Sequence, residues 1–124
     1  MKLTGKCKED FERWLSNRWM DEGLIMPFIT HPHLLVDVSK IFNDLPDSMK
    51  WGVYQDYFDS VGIEVNAERG YDLVYSVYND SYEWFVDLYE SDASQVGFTK
   101  TRPEARTKAI EKANEIRNKH KYKG

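Results

Sequence analysis

At Ile63 the apolar spacing of this chain switches from helical to strand-like, and that switch dictates an α+β fold. Upstream, bulky residues recur three and four positions apart. Downstream, Ile63, Val65 and Ala67 alternate with Glu64, Asn66 and Glu68. Tyr71, Leu73, Tyr75 and Val77 then make a second apolar row, and Tyr82, Trp84, Val86 and Leu88 a third. The pattern predicts three strands in an antiparallel meander. A three-residue loop at Glu68-Arg69-Gly70, with Gly70 left-handed, joins the first pair, and a two-residue Asn79-Asp80 turn joins the second. In that register Tyr75 stands opposite Trp84, Leu73 opposite Val86, and Asp72 opposite Asp87, a mild repulsion. All bulky rows share one face. Val96 and Phe98 suggest a short fourth strand, interrupted by Gly97.

Helices are expected before and after this ribbon in sequence. Cys7, Phe11, Trp14 and Leu15 give one apolar stripe over residues 6–20. Thr30 can cap a short second helix beginning near Pro32, with Leu35, Val38 and Phe42 inward and its end before Pro46. A third helix starts at an Asp47 or Ser48 cap and carries Met49, Val53, Tyr57 and Phe58. Gly62 closes it in the left-handed conformation, and Ile63 packs back on Phe58. Thr101-Arg102-Pro103-Glu104 is a capping box, and the helix it opens presents Ala105, Ala109, Ala113 and Ile116, a narrow stripe suited to lying close on a sheet. The expected architecture is one domain over residues 1–124, built as a helical part (1–45), a helix-meander-helix part (46–118) and a fraying tail (119–124). It has three N-terminal helices, an antiparallel three- to four-stranded meander, and a C-terminal helix packed on the sheet. Aromatic residues are 15% of the 124, which gives so short a chain the means to fill a core.

Charge is unevenly spread. Residues 37–92 hold thirteen acidic side chains against Lys40, Lys50 and Arg69, whereas residues 100–124 hold nine basic ones against Glu104, Glu111 and Glu115. The longest apolar run, Leu24 to Ile29, is too short for a bilayer and broken by Pro27, so no membrane segment is expected. Lys2, Lys6 and Lys8 are followed by Glu9, Asp10 and Glu12, which is unlike a signal peptide. A single cysteine forms no internal disulfide, and the setting expected is cytoplasmic.

Candidate chemistry is sparse. His31 and His33 lack the further ligands a zinc site requires, with only His120 left in the tail. Cys7 falls on an apolar stripe and reads as a buried, inert thiol. Asp56 and Asp59 share one side of the third helix, a spacing open to acid–base or cation chemistry, but in so acidic a region they read as a solvated face. There is no phosphate loop, nucleophile elbow or metalloprotease helix. No catalytic, cofactor or metal residue is assigned, and the chain does not read as an enzyme.

The more informative surface is the second face of the sheet. Val74, Tyr78, Phe85 and Tyr89 lie there among Glu64, Asp72, Ser76, Glu83 and Asp87. Either the N-terminal helices cover them, or they meet a protein partner or a second copy. The alternative is nucleic-acid binding through Lys100, Arg102, Arg106, Lys119, Lys121 and Lys123, which the acidic body disfavours.

From residue 47 the order helix, three strands, helix resembles that of double-stranded-RNA-binding domains. Where that family carries its Gly-Pro-x-His loop and lysine-rich helix start, this chain has Glu68-Arg69-Gly70 and Thr101 to Arg106, so no contacting residue carries over. Asp59-Ser60-Val61-Gly62-Ile63, Gly97-Phe98-Thr99 and Thr101 through Ala113 resemble small uncharacterised proteins of bacterial phages and mobile elements, over residues 45–118. The Glu-Ala helix start is similar to antitoxins of the HicB type, from which the three leading helices depart. These likenesses imply no functional residues. The expected role is that of a non-enzymatic interaction or accessory protein.

Overall fold

The computed structural model describes residues 1–21, 38–72, 74–89 and 94–120. Among them three helices, α1 (Gly5–Asp21), α2 (Val38–Asn43) and α3 (Asp47–Ser60), precede the strands β1 (Ile63–Asp72), β2 (Val77–Leu88) and β3 (Ser94–Thr99), and α4 (Arg102–His120) follows. The sheet is antiparallel in the order β1-β2-β3. The chain is thus α+β, with a meander sheet and its C-terminal helix packed on it.

One face of the sheet makes the core. Ile63 and Val65 on β1 and Trp84 and Val86 on β2 are buried beneath α4, whose Ala105, Ala109 and Ala113 have no exposed surface. Alanine at the contact lets a helix backbone approach the strands closely, and Ile110 and Ile116 fill the flanks. Beside this layer α1 and α3 pack through rings. Phe11 lies 5.1 Å from both Phe42 and Tyr54 and 5.3 Å from Tyr57, in edge-on and tilted arrangements that suit aromatic quadrupoles.

Two polar clasps fix α1 to α4. The Cys7 N–H, which no helical carbonyl can reach, donates to Asn118 Oδ1 (2.8 Å), and the Thr4 N–H donates to Asn114 Oδ1 (3.0 Å). In return Asn114 Nδ2 donates to Thr4 Oγ1 and Asn118 Nδ2 to the Thr4 carbonyl. The start of the first helix is therefore capped by side chains of the last. One turn further along α1, the buried Tyr57 hydroxyl (2.7 Å) and the Arg117 guanidinium (2.8 Å) both donate to Asp10 Oδ2. Burial, then the Asp10 hydrogen bond, pushes the Tyr57 phenol far above its ordinary value. Burial works against the Arg117 charge, but Asp10 and Tyr57 outweigh it and hold the guanidinium more firmly protonated than usual.

Several sequence expectations meet the structure directly. Gly62 is left-handed (φ +83°) at the end of α3, and Thr101 Oγ1 accepts from the Glu104 N–H at the start of α4 (3.3 Å). Cys7 is buried and in no disulfide. Others are corrected. Glu68-Arg69-Gly70 is not a turn: β1 runs through it, and Gly70 sits at a register shift between Arg69 and Tyr71 without a positive φ. Asn79-Asp80 lies inside β2. The chain reverses instead at Val74-Tyr75-Ser76, where Ser76 takes the positive φ (53°), and Tyr75 and Val77 are exposed. One long hairpin brings Ile63 opposite Leu88, Val65 opposite Val86 and Ala67 opposite Trp84. It thereby joins the two apolar rows that α4 covers, and Tyr75 and Val77 of the middle row are left over at its tip. In α3 the buried residues are Trp51, Tyr54, Tyr57 and Phe58, and Met49 is 56% exposed. The helix starts at Asp47 after Pro46, with no side-chain cap from Asp47 or Ser48. Leu73, the first part of the expected second helix, His31 and His33 lie outside the described residues.

Candidate functional site: the outer face of the sheet

Strand alternation decides which side chains face away from the core. Because Val65, Trp84 and Val86 point inward, Glu64, Asn66 and Glu68 on β1 and Glu83, Phe85 and Asp87 on β2 point outward. On β3 the partners of Trp84 and Val86 are Gly97 and Gln95, so Val96 and Phe98 also face outward. Phe85 pairs with Val96, and Phe98 stands one pleat further along. Val96 is 53% exposed and Phe98 63%, while Phe85 is half-buried between them and β1. Tyr89, 54% exposed, continues the row and donates its hydroxyl to Asp59 Oδ1, which pushes its phenol up to about 12. Helix α3 reaches this face only at its β1 side, through Asp59 on Tyr89, and α1–α3 leave Val96 and Phe98 uncovered.

Of the four residues expected on this face, Phe85 and Tyr89 share it. Val74 projects from the hairpin tip at 84% exposure, and Tyr78, beyond the register shift, lies under the Arg69 guanidinium (5.5 Å to the ring). Val96 and Phe98 were missed by sequence reasoning. The signal was present in Gly97, the residue between them, which must turn toward the core where no side chain fits. A Cβ on Gly97 would stand 2.5 Å from the Trp84 indole.

The face is acidic on one side and uncharged on the other. Across β1 and β2, Glu64 faces Asp87 and Glu68 faces Glu83, with Asn66 opposite Phe85 between them. None of these four carboxylates joins an ion pair among the described residues; those pairs lie on the helices, such as Arg18 with Asp56 (3.5 Å) and Lys112 with Glu115 (3.2 Å). Strand β3, Ser94–Thr99, carries no charge at all.

Other candidates are less equipped. Asp56 and Asp59 do line a cleft of about 220 Å³ with Glu64 and Tyr89, but Asp56 is paired with Arg18 and Asp59 accepts from Tyr89. No cluster of three His, Cys, Asp or Glu residues among the described residues has a metal-binding arrangement. A larger cavity of about 390 Å³ has an aromatic floor of Phe11, Phe42 and Tyr54, and two of the three lysines that line it are engaged, Lys8 with Glu12 and Lys50 with Asp47, both at 3.9 Å. Of the cations considered for nucleic acid, Arg102 lies over the Tyr82 ring (5.4 Å) and Arg106 over Trp51 (5.6 Å). Lys100 and Lys119 are exposed and well apart along the chain, and Lys121 and Lys123 lie outside the described residues. No described helix is long and apolar enough to cross a membrane. No protein-family model matches the chain, and no curated protein or solved structure matches it significantly.

Proposed function

We propose that this protein acts by binding and not by catalysis, in the cytoplasm, holding a protein partner or a second copy of itself against the outer face of its sheet. The observation that carries this reading is the pair Val96 and Phe98. Both are more than half exposed, side by side with Phe85, on the part of the outer face that α1–α3 leave open although α4 covers the inner face. Burying one such side chain is worth about 1.5–3 kcal/mol, so a contiguous set is a sizeable source of binding free energy. The uncharged strand β3 at the sheet edge extends the same surface. A photo-crosslinking side chain at position 98 tests the reading in cells that carry the gene, with one at Glu111, exposed on α4, as control. The expected result is a discrete crosslinked product from position 98 alone. No product there, or the same product from both positions, rejects the outer face as an interface.

A further inference from the structure

Resting on that reading, we infer that the occupant of the outer face is a cationic amphipathic helix of a partner protein, its apolar stripe seated on Phe85, Val96 and Phe98 and its Lys or Arg flank on the carboxylates of β1 and β2. The apolar side chains make the face a docking surface, and its charges choose the occupant. Glu64 opposite Asp87 and Glu68 opposite Glu83 are directly facing like-charged pairs, an arrangement that destabilises a sheet unless something offsets it. Nothing among the described residues does, since no ion pair reaches any of the four. Arg69, next to Glu68 on β1, alternates to the other face of the strand and lies over the Tyr78 ring (5.5 Å); Lys100 stands just past the end of β3, on the far side of the apolar stripe. A bound row of cations would turn two repulsions into attractions.

Shape agrees with a helix. The inner face of the same three strands is covered by α4, which touches β1, β2 and β3 at once, so one helix of ordinary diameter spans the outer face as well. Laid along the strands, it would meet the uncharged strand β3 with one flank and the acidic strand β1 with the other. A second copy fits less well, because stacking two such faces sets carboxylates against carboxylates.

The test uses the full chain and three labelled synthetic helices with an identical leucine stripe, flanked by lysine, glutamine or glutamate, read by fluorescence anisotropy. The lysine peptide is expected to bind, more weakly as salt rises, and the glutamate peptide at least about tenfold less tightly. The double variant Glu68→Gln/Glu83→Gln should lose about tenfold for the lysine peptide while melting no lower than the parent, which separates loss of a contact from loss of the fold. Phe98→Ser should weaken all binding. Equal affinity for the three peptides, or a double variant that binds undiminished, overturns the cationic occupant, yet leaves the face standing as an interface if Phe98→Ser still weakens binding. Failure of every peptide to bind also overturns it, and the position-98 crosslink then decides the broader reading separately. A dimer in sedimentation that Phe98→Ser dissolves assigns the face to a second copy and overturns it too.

Discussion

Gly97 is where a single atom decides the packing of the sheet. It lies opposite Trp84, and the indole occupies the volume a side chain at 97 would need. Gly97→Ala must displace either the ring or β3, at a cost of about 1–3 kcal/mol. Chemical denaturation measures it, and in the Trp84→Leu background the same substitution should cost clearly less, a coupling a double-mutant cycle reads directly. From the sequence Gly97 registers only as an interruption of a weak strand, because its neighbour across the sheet depends on a register that local pattern does not determine. The tyrosines give a second prediction. Burial raises Tyr54 to about 12, the Asp59 hydrogen bond raises Tyr89 to about 12, and Tyr57 is held higher still. A phenol whose pKa rises on folding stabilises the native state fully below the unfolded value of 10.0 and loses that contribution as pH climbs through the folded one. Stability attributable to these groups should stay level to about pH 9 and decline above 10. Near-ultraviolet titration should show late-ionising tyrosines, fewer in Tyr57→Phe.

Among the elements, α4 and the end of α3 were the most legible. Thr101 with Glu104, and Gly62 after Ser60, are local devices whose chemistry does not wait on the rest of the fold. The hairpin was legible as strands and misread in its turns. Gly70 and Asn79-Asp80 are turn-forming residues, but pairing Val65 with Val86 under α4 is worth more than two tight turns at those places. The reversal falls on Ser76, an L-residue in left-handed backbone. Ser76→Gly should therefore stabilise the protein by about 0.5–1 kcal/mol, seen as a higher denaturation midpoint with unchanged slope. The stripe of α3 was half legible. Tyr57 and Phe58 were identified, while Tyr54 and Trp51 replaced Met49, because α1 and α2 present Phe11 and Phe42 to Tyr54 and α4 lays Arg106 over Trp51. The outer face was legible in Phe85 and Tyr89 alone. Val96 and Phe98 belong to it through pairing with β2, which single-strand alternation does not reveal.

At the scale of the whole molecule, the core of the described residues lies on one face of the sheet and its closure depends on residues far apart in sequence. Asp10, Tyr57 and Arg117 come from three helices and share one mostly buried charge pair. Asp10→Ala would strand the Arg117 guanidinium and should cost about 3 kcal/mol, lowering the melting temperature in one cooperative transition without loosening β3 selectively. Hydrogen exchange distinguishes the two outcomes, since selective loss at β3 would mean that sheet and helices unfold separately. None of this clasp was legible, because nothing local marks Asp10 or Arg117 apart from their charged neighbours.

The bonds from Asn114 and Asn118 to Thr4 and Cys7 set an order of events in synthesis. The amides that open the first helix find their acceptors only after residues through 118 have left the ribosome. Until then the nascent chain carries Phe11, Leu15 and the strands' apolar rows without the helix that shelters them. Folding of this unit is therefore deferred until α4 has emerged, and the residues before it need shielding from other nascent chains until then.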